Sequence, residues 1–209
     1  MNRFAELLDR LAYEPGRNNK LRLLTSYFRE VEDPDRGYAL GALTGALSFK
    51  HAKPALIRDL IAARTDPVLF ALSYDYVGDL SETVALMWPK GAPQTQSIPS
   101  PARGRGEQPH AVEQNKAGHN NPPPPTLTEV VTTLRMLGKT EMPRQLAKWL
   151  DELDETGRWA LLKLVTGALR IGISARLAKT AAAALGDKDP HEVELIWPGL
   201  SPPYLDLFA

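Results

Sequence analysis

The sequence predicts an all-α fold of about ten or eleven short helices in two pseudo-symmetric halves, joined by a proline-rich disordered linker. Three observations favour this fold. Apolar residues recur at helical spacing, capping residues mark helix starts, and no segment alternates between apolar and polar residues as a half-buried strand does. The 209 residues are 43% hydrophobic and 24% charged, which supplies enough apolar surface for a core and excludes disorder throughout the chain.

Helical spacing defines the first half, residues 1–88. Two segments near its start place apolar residues at intervals of three and four, so that each segment has one apolar face. These residues are Phe4, Leu7, Leu8 and Leu11 in the first segment, and Leu21, Leu24, Phe28 and Val31 in the second.

Capping residues predict where several helices begin. Aspartate before proline is a strong start signal, because the carboxylate caps the helix and proline at the first helical position lacks only an N–H that would have no partner. Such pairs are Asp33-Pro34, Asp66-Pro67 and Asp189-Pro190. Capping-box spacing is present in Asp79 with Glu82, Thr126 with Glu129, and Asp189 with Glu192.

The second half, residues 126–209, contains three further helical patterns. They run over about 140–153, 154–169 and 174–185, and Gly186 follows the last of them as a C-terminal stop signal. Together the two halves are expected to form one domain.

Residues 89–125 contain nine of the 18 prolines and almost no large apolar residue, which predicts a disordered linker or insertion. Arg103, Arg105, His110 and His119 lie in it, but they are too sparse for a nucleic-acid or metal-binding tract. Plain disorder is the favoured interpretation.

Composition excludes several classes of function. The chain has no cysteine, so disulfide scaffolds, thiolate metal sites and cysteine nucleophiles are absent, and the cytoplasm is the expected compartment. No segment has the pattern of a signal peptide or a membrane span. Lys plus Arg and Asp plus Glu both number 25, so the chain is not grossly basic.

An internal repeat relates the two halves. Residues 38–47 are similar to residues 159–169 with one insertion, and Thr-Gly-Ala-Leu is identical in both. Because two copies are too few for a solenoid, the repeat predicts a pseudo-two-fold pair of helical subdomains. The alternative is a chance likeness between two Ala- and Leu-rich helices.

Positive charge is concentrated in three windows without any acidic residue: 16–29, 36–58 and 156–186. A neutral chain can present a basic face in this way, because the local field follows the arrangement of charges and not their sum.

Each copy of the repeat ends in a polar turn before another helix, and these turns are the candidate phosphate-binding sites. Glycine permits a tight turn and close approach of a ligand, Ser174 is a good N-cap, and a helix start attracts anions. In the second half the candidates are Arg170, Gly172, Ser174 and Arg176, and in the first half Lys50, His51 and Lys53. An ordinary basic helix-turn-helix corner is the alternative for either turn alone.

No catalytic motif is visible. The four histidines are scattered, and phosphate-loop, dinucleotide-binding and His-Glu-x-x-His patterns are absent. Asp151, Asp154 and Glu155 could hold a metal in a helical enzyme, although capping is the favoured interpretation of such acids. A helical protein-interaction module without nucleic acid is a further alternative.

Residues 167–174, Gly-Ala-Leu-Arg-Ile-Gly-Ile-Ser, resemble the Leu-Arg-Ile-Gly signature of the N-terminal DNA-binding domain of ATP-dependent DNA ligases. Residues 16–21, 78–80 and 128–130 also look like the bacterial members of that family, whereas the proline-rich linker departs from them. The match covers both halves. It implies that Gly167, Arg170, Gly172 and Ser174 contact DNA phosphates. Arg17 and Lys20, which fall within the matched residues 16–21, are further candidate DNA-binding residues.

The resemblance implies a monomeric, nucleoid-associated bacterial domain that binds nicked duplex DNA through minor-groove phosphates during repair, replication or recombination. In such ligases a catalytic domain C-terminal to this one uses ATP, a divalent metal and a Lys-x-Asp-Gly lysine. This chain contains no Lys-x-Asp-Gly, so no catalytic residue or cofactor is assigned to it, and we expect it to be unable to ligate alone.

Overall fold

The computed structural model describes residues 1–89, 123–167 and 169–208. Within these ranges the chain forms helices and no strand, which confirms the all-α prediction. The linker residues singled out above (Arg103, Arg105, His110 and His119) lie outside the described residues. The helices are α1 (Asn2–Tyr13), α2 (Arg17–Glu30), α3 (Asp35–Leu43), α4 (Pro54–Ala62), α5 (Pro67–Val77), α6 (Leu80–Met87), α7 (Leu127–Met136), α8 (Met142–Glu152), α9 (Glu155–Thr166), α10 (Ala175–Leu185), α11 (Pro190–Ile196) and α12 (Leu205–Phe208), with a 3₁₀ turn at Trp197–Gly199.

Most of the predicted capping residues perform that role. The Asp66 carboxylate accepts from the N–H groups of Val68 and Leu69 at the start of α5, and Asp189 accepts from the N–H of His191 at the start of α11. Thr126 forms a reciprocal capping box with Glu129. Asp79 and Ser174 cap α6 and α10 through the N–H groups of Glu82 and Leu177.

The prediction for Asp33-Pro34 was wrong, because α3 begins at Asp35 and its cap position is Pro34. The Asp33 carboxylate instead accepts two hydrogen bonds from the Arg36 guanidinium, with Nε at 3.0 Å from Oδ1. An arginine one turn further on offers two charged donors, so it takes the carboxylate away from the backbone.

The two halves pack reciprocally around one shared core. Helix α1 packs on α9 and α2 packs on α10, while α7 packs on α3 and α8 packs on α4. The first helix pair of each half therefore covers the second pair of the other half. The contacts of α3 with α10 and of α9 with α4 are also exchanged by the same correspondence. The close packing of α6 on α9 departs from it, because among the described residues α3 has no matching partner of similar extent.

The ends of α2 and α8 show the repeat at atomic detail. Arg36 Nη1 donates to the carbonyl oxygen of Phe28 at 3.3 Å, and Arg158 Nε donates to that of Leu150 at 2.5 Å. In both cases the acceptor lies eight residues before the arginine, in the last turn of the helix, where carbonyls have no partner within the helix. Each arginine thus caps the C-terminus of the helix that precedes its own.

The shared Thr-Gly-Ala-Leu segments also adopt one conformation at their glycines. Gly45 follows α3 with φ of +73°, and Gly167 follows α9 with φ of +69°. The hydroxyl of the threonine before each glycine donates to a carbonyl of its own helix. The left-handed region favours glycine, which explains why both copies end the helix with this residue.

Polar contacts join the halves at several places. The N-terminal ammonium of Met1 donates to the carbonyl of Pro125, and the Asp35 carboxylate accepts from the N–H of Thr128 at 2.7 Å. Lys163, which is 3% exposed, forms a 2.7 Å ion pair with Asp79. Burial opposes ionisation of Asp79, but hydrogen bonds from Lys163 and from the N–H of Glu82 outweigh it and lower the pKa of that carboxyl.

The C-terminal segment covers α3. A Cβ added to Gly37 would lie 1.6 Å from the carbonyl oxygen of Pro203, and the guanidinium of Arg36 lies over the Phe208 ring, 4.4 Å from its centroid. Phe208 in turn contacts Phe28 of α2. Glycine is required at position 37 because the chain passes directly over it.

Candidate nucleic-acid interface

We call the segment between α9 and α10 (residues 167–174) the second turn. Ala168 lies outside the described residues. Three of the others have a left-handed backbone conformation. Gly167, Arg170 and Gly172 have φ values of +69°, +49° and +67°. Glycine adopts this region without cost, but arginine does not, so Arg170 is held there by its surroundings. The turn ends at Ser174, whose hydroxyl caps α10 by accepting from Leu177 at 3.1 Å.

Lys20 of α2 contacts the second turn from the buried side. Its ammonium donates to the carbonyl oxygens of Ile171 at 3.0 Å and Gly172 at 3.2 Å. Lys20 is only 9% exposed, so its charge is directed into the protein. The sequence suggested Lys20 as a DNA contact, whereas the structure places it as a link between α2 and the second turn.

The Lys20 contact brings two helix starts together. Lys20 lies in the first turn of α2 and reaches the residues that lead into α10, so the N-termini of both helices are at one end of the molecule. Arg17, Arg170 and Arg176 are all exposed at this end. Positive side chains and two helix N-termini together favour an anion there.

The first turn (residues 48–53) has the same position between α3 and α4. Phe49 and Ala52 anchor it in the core, being 4% and 1% exposed. Lys50 and Lys53 are exposed and His51 is half-buried. Lys53 occupies the cap position of α4, where its ammonium offers no acceptor to the helix N–H groups, so the start of α4 has no side-chain cap.

No hydrogen bond or ion pair connects the two turns among the described residues. The predicted residues fall into two groups. One contains the second turn together with Arg17 of α2 and Arg176 of α10, and the other contains Lys50, His51 and Lys53 of the first turn. Simultaneous contact of both groups with the two strands of one duplex stays a prediction.

The acid-free windows do not translate into one continuous basic face. Arg158 and Lys163 are buried, at 5% and 3% exposed, because both reach inward to acceptors, the carbonyl of Leu150 and the carboxylate of Asp79. Lys179 pairs with Glu194 at 2.8 Å. A window counts charges along the chain, but it does not show which side of the helix each one occupies.

Arg170 also borders a cavity of about 510 Å³ that the sequence did not predict. The cavity is lined by the acidic residues Asp9, Glu82 and Glu155, together with Tyr13 and Trp159. Arg170 therefore lies between the second turn and an acidic cavity, and no ion pair or hydrogen bond joins it to these carboxylates among the described residues.

Two of the three carboxylates considered as metal ligands have other partners. Asp151 accepts from the indole N–H of Trp88 at 2.8 Å, and Asp154 caps α9 by accepting from the N–H of Gly157 at 2.8 Å. Among the described residues, no group of three or more His, Asp or Glu side chains is placed to hold a metal ion.

Comparison with protein-family models and with curated proteins finds no match to this chain. Within the described residues, no helix combines the length and the apolar character needed to cross a membrane.

Proposed function

We propose that this chain binds duplex DNA without sequence preference, through backbone phosphates. The observation that carries the proposal is the second turn, where Arg170 and Arg176 flank a left-handed Gly172 directly before the capped start of α10. Exposed N–H groups, a helix dipole and two guanidinium groups are the chemistry that phosphates require.

The first turn supplies a second group of phosphate contacts. Lys50 and Lys53 are exposed and lie before the N-terminus of α4, at the place that the pseudo-two-fold relates to the second turn. Two similar phosphate sites on one rigid core suit a duplex, whose two strands present similar rows of phosphates across the minor groove.

The resemblance to ligase DNA-binding domains gives this activity a context. It suggests that the DNA is nicked and that a nucleotidyltransferase domain with ATP and a divalent metal acts on the bound nick. In that arrangement the present chain contributes DNA binding in repair or replication, and catalysis belongs to its partner domain.

A second candidate function, docking of a partner protein, is supported by α5. This helix has no buried residue and exposes an apolar stripe of Val68, Leu69, Leu72 and Tyr76, with exposed fractions of 68%, 56%, 64% and 93%. Exposed apolar patches of this kind commonly mark interaction surfaces. The two functions use different surfaces and are compatible.

Titration of a fluorescent nicked duplex at several salt concentrations tests the proposal. We expect binding that weakens steeply with salt, since each neutralised phosphate contributes about 0.9 to the slope of log K against log salt. An intact duplex of the same sequence shows whether the nick matters. Absence of binding at low salt, or binding insensitive to salt, would overturn the proposal.

A further inference from the structure

Lys20 is a charged residue at a core position. It lies on the buried face of α2, four residues before Leu24, which is 0% exposed. The corresponding position at the start of α8 is Met142, also 0% exposed and four residues before the buried Leu146. An apolar side chain is sufficient for packing at the related site, so packing alone does not explain an ammonium at Lys20.

The ammonium instead sets the direction of two peptide groups. In a trans peptide the C=O and the following N–H point to opposite sides. Because Lys20 draws the carbonyls of Ile171 and Gly172 inward, the N–H groups of Gly172 and Ile173 are directed outward. Neither N–H has a hydrogen-bond partner among the residues that the structure describes. Successive outward N–H groups next to a left-handed residue form an anion-binding nest.

Gly172 is matched to this arrangement in two ways. Its φ of +67° lies in the region that favours glycine, and a Cβ at this position would lie 2.6 Å from Lys20 Nζ. Any larger residue would therefore displace the ammonium as well as strain the turn. Gly45, the counterpart of Gly167 in the repeat, also has a left-handed φ, of +73°, but it has no atom within 4 Å of an added Cβ.

We infer that Lys20 is a positioning residue for phosphate binding: its ammonium orients the second turn so that the N–H groups of Gly172 and Ile173 face a DNA phosphate, which Arg170 and Arg176 neutralise. Lys20 itself touches no phosphate. This inference rests on the proposed function. It states that one buried lysine determines the conformation of the phosphate-binding site.

The experiment compares Lys20→Met with wild type and with Arg170→Gln, using a nicked duplex at several salt concentrations. Methionine preserves the length and the packing that Met142 provides in the other half. We expect about tenfold weaker binding for Lys20→Met, because the two charge-assisted hydrogen bonds that shape the turn are lost. The salt slope of Lys20→Met stays at the wild-type value, whereas that of Arg170→Gln falls by about 0.9.

A spectroscopic measurement on the protein without DNA separates positioning from general stability. In Lys20→Met the amide signals of Gly172 and Ile173 shift, while signals of the first turn and the far-ultraviolet circular dichroism stay unchanged. Should Lys20→Met fail to fold, Gly172→Ala displaces the same ammonium from the opposite side. Its matched control is Gly45→Ala, which has the same backbone cost without the collision. Greater loss of DNA binding in Gly172→Ala supports the inference.

Three outcomes would overturn the inference. Equal affinity of Lys20→Met and wild type would show that the ammonium does not shape the site. A salt slope lowered by about 0.9 with unmoved Gly172 and Ile173 signals would make Lys20 a direct phosphate contact. A wild-type protein that does not bind the duplex would overturn the proposed function, and this inference with it.

Discussion

Arg36 and Arg158 make the same contact in the two halves of the chain, each donating to the carbonyl oxygen of the residue eight positions earlier. The acceptors, Phe28 and Leu150, are in the last turns of α2 and α8. Arg36 remains half-buried beside Asp33, whereas Arg158 is buried. Burial lowers the pKa of Arg158, so its position costs free energy that the hydrogen bond to Leu150 offsets.

Arg158→Met is therefore expected to destabilise the fold more than Arg36→Met. Removing Arg158 leaves a buried carbonyl without a partner and should cost about 1–3 kcal/mol. The Arg36 side chain is partly exposed, so water can enter in its place, and its removal should cost about 0.5–1.5 kcal/mol. Urea unfolding followed by circular dichroism measures both. Equal losses, or the reverse order, would show that the difference in burial between Arg36 and Arg158 does not set the cost of losing these contacts.

The ion pair of Lys163 with Asp79 predicts a pH dependence of stability. The lowered pKa of Asp79 means that its contribution is fully present above about pH 4 and is lost as the pH falls through the folded-state value. Asp79→Asn should be less stable than wild type by about 1–3 kcal/mol at pH 6, because Lys163 loses its closest acidic partner.

The same variant should lose less stability than wild type between pH 6 and pH 3, since one carboxylate no longer titrates there. Urea midpoints at the two pH values measure the difference. Asp66→Asn is the matched control, because Asp66 also caps a helix but faces solvent without a lysine partner. If wild type and Asp79→Asn lose the same stability between pH 6 and pH 3, the ion pair of Asp79 with Lys163 does not contribute to the pH dependence.

Arg170→Gln should weaken binding to a nicked duplex and reduce the salt slope by about 0.9, without changing the helical content. Lys188→Gln is its matched control, since Lys188 is exposed at the opposite end of α10. Fluorescence anisotropy at three salt concentrations gives both slopes. Equal effects of the two substitutions would point to a diffuse charge effect in place of a site at the second turn.

The first turn is tested independently by the double substitution Lys50→Gln with Lys53→Gln. If both turns grip one duplex, affinity falls and the salt slope decreases by about 1.8, twice the value for one contact. Combining it with Arg170→Gln in a double-mutant cycle shows whether the two turns act on the same DNA molecule. An unchanged slope in the double variant would confine phosphate binding to the second turn.

How far the sequence predicts this fold depends on the kind of signal. Spacing of apolar residues predicted the helices, and Asp66, Thr126 and Ser174 cap where their residue types indicated. Local rules succeed there because cap and helix are neighbours in the chain. Asp33 departs from the prediction because Arg36 competes for its carboxylate.

The site was less predictable because its decisive contacts join distant parts of the chain. The bond of Lys20 to Ile171 spans 151 residues, and no local pattern contains it. A signal was nevertheless present, since Lys20 falls at helical spacing before Leu24 and Phe28 on an otherwise apolar face. A lysine on such a face indicates a buried acceptor, although the sequence does not say which one. Arg158 and Lys163 lie in the acid-free window 156–186 and also reach buried acceptors that no pattern along the chain shows.

Reciprocal packing has a consequence for folding and for fragments of this chain. Helices α1 and α2 complete their burial only on α9 and α10, and α7 and α8 only on α3 and α4. Residues 1–89 or 123–208 expressed alone would leave the apolar faces of both pairs open to water, and the two fragments mixed together should assemble. Since the entropy of loop closure grows only with the logarithm of length, we expect insertions into the connection between Pro89 and Pro123 to have little effect on the stability of the assembled core. Folding of the intact chain must wait for contacts of long sequence separation, which makes it slower than that of a helical bundle with sequential packing.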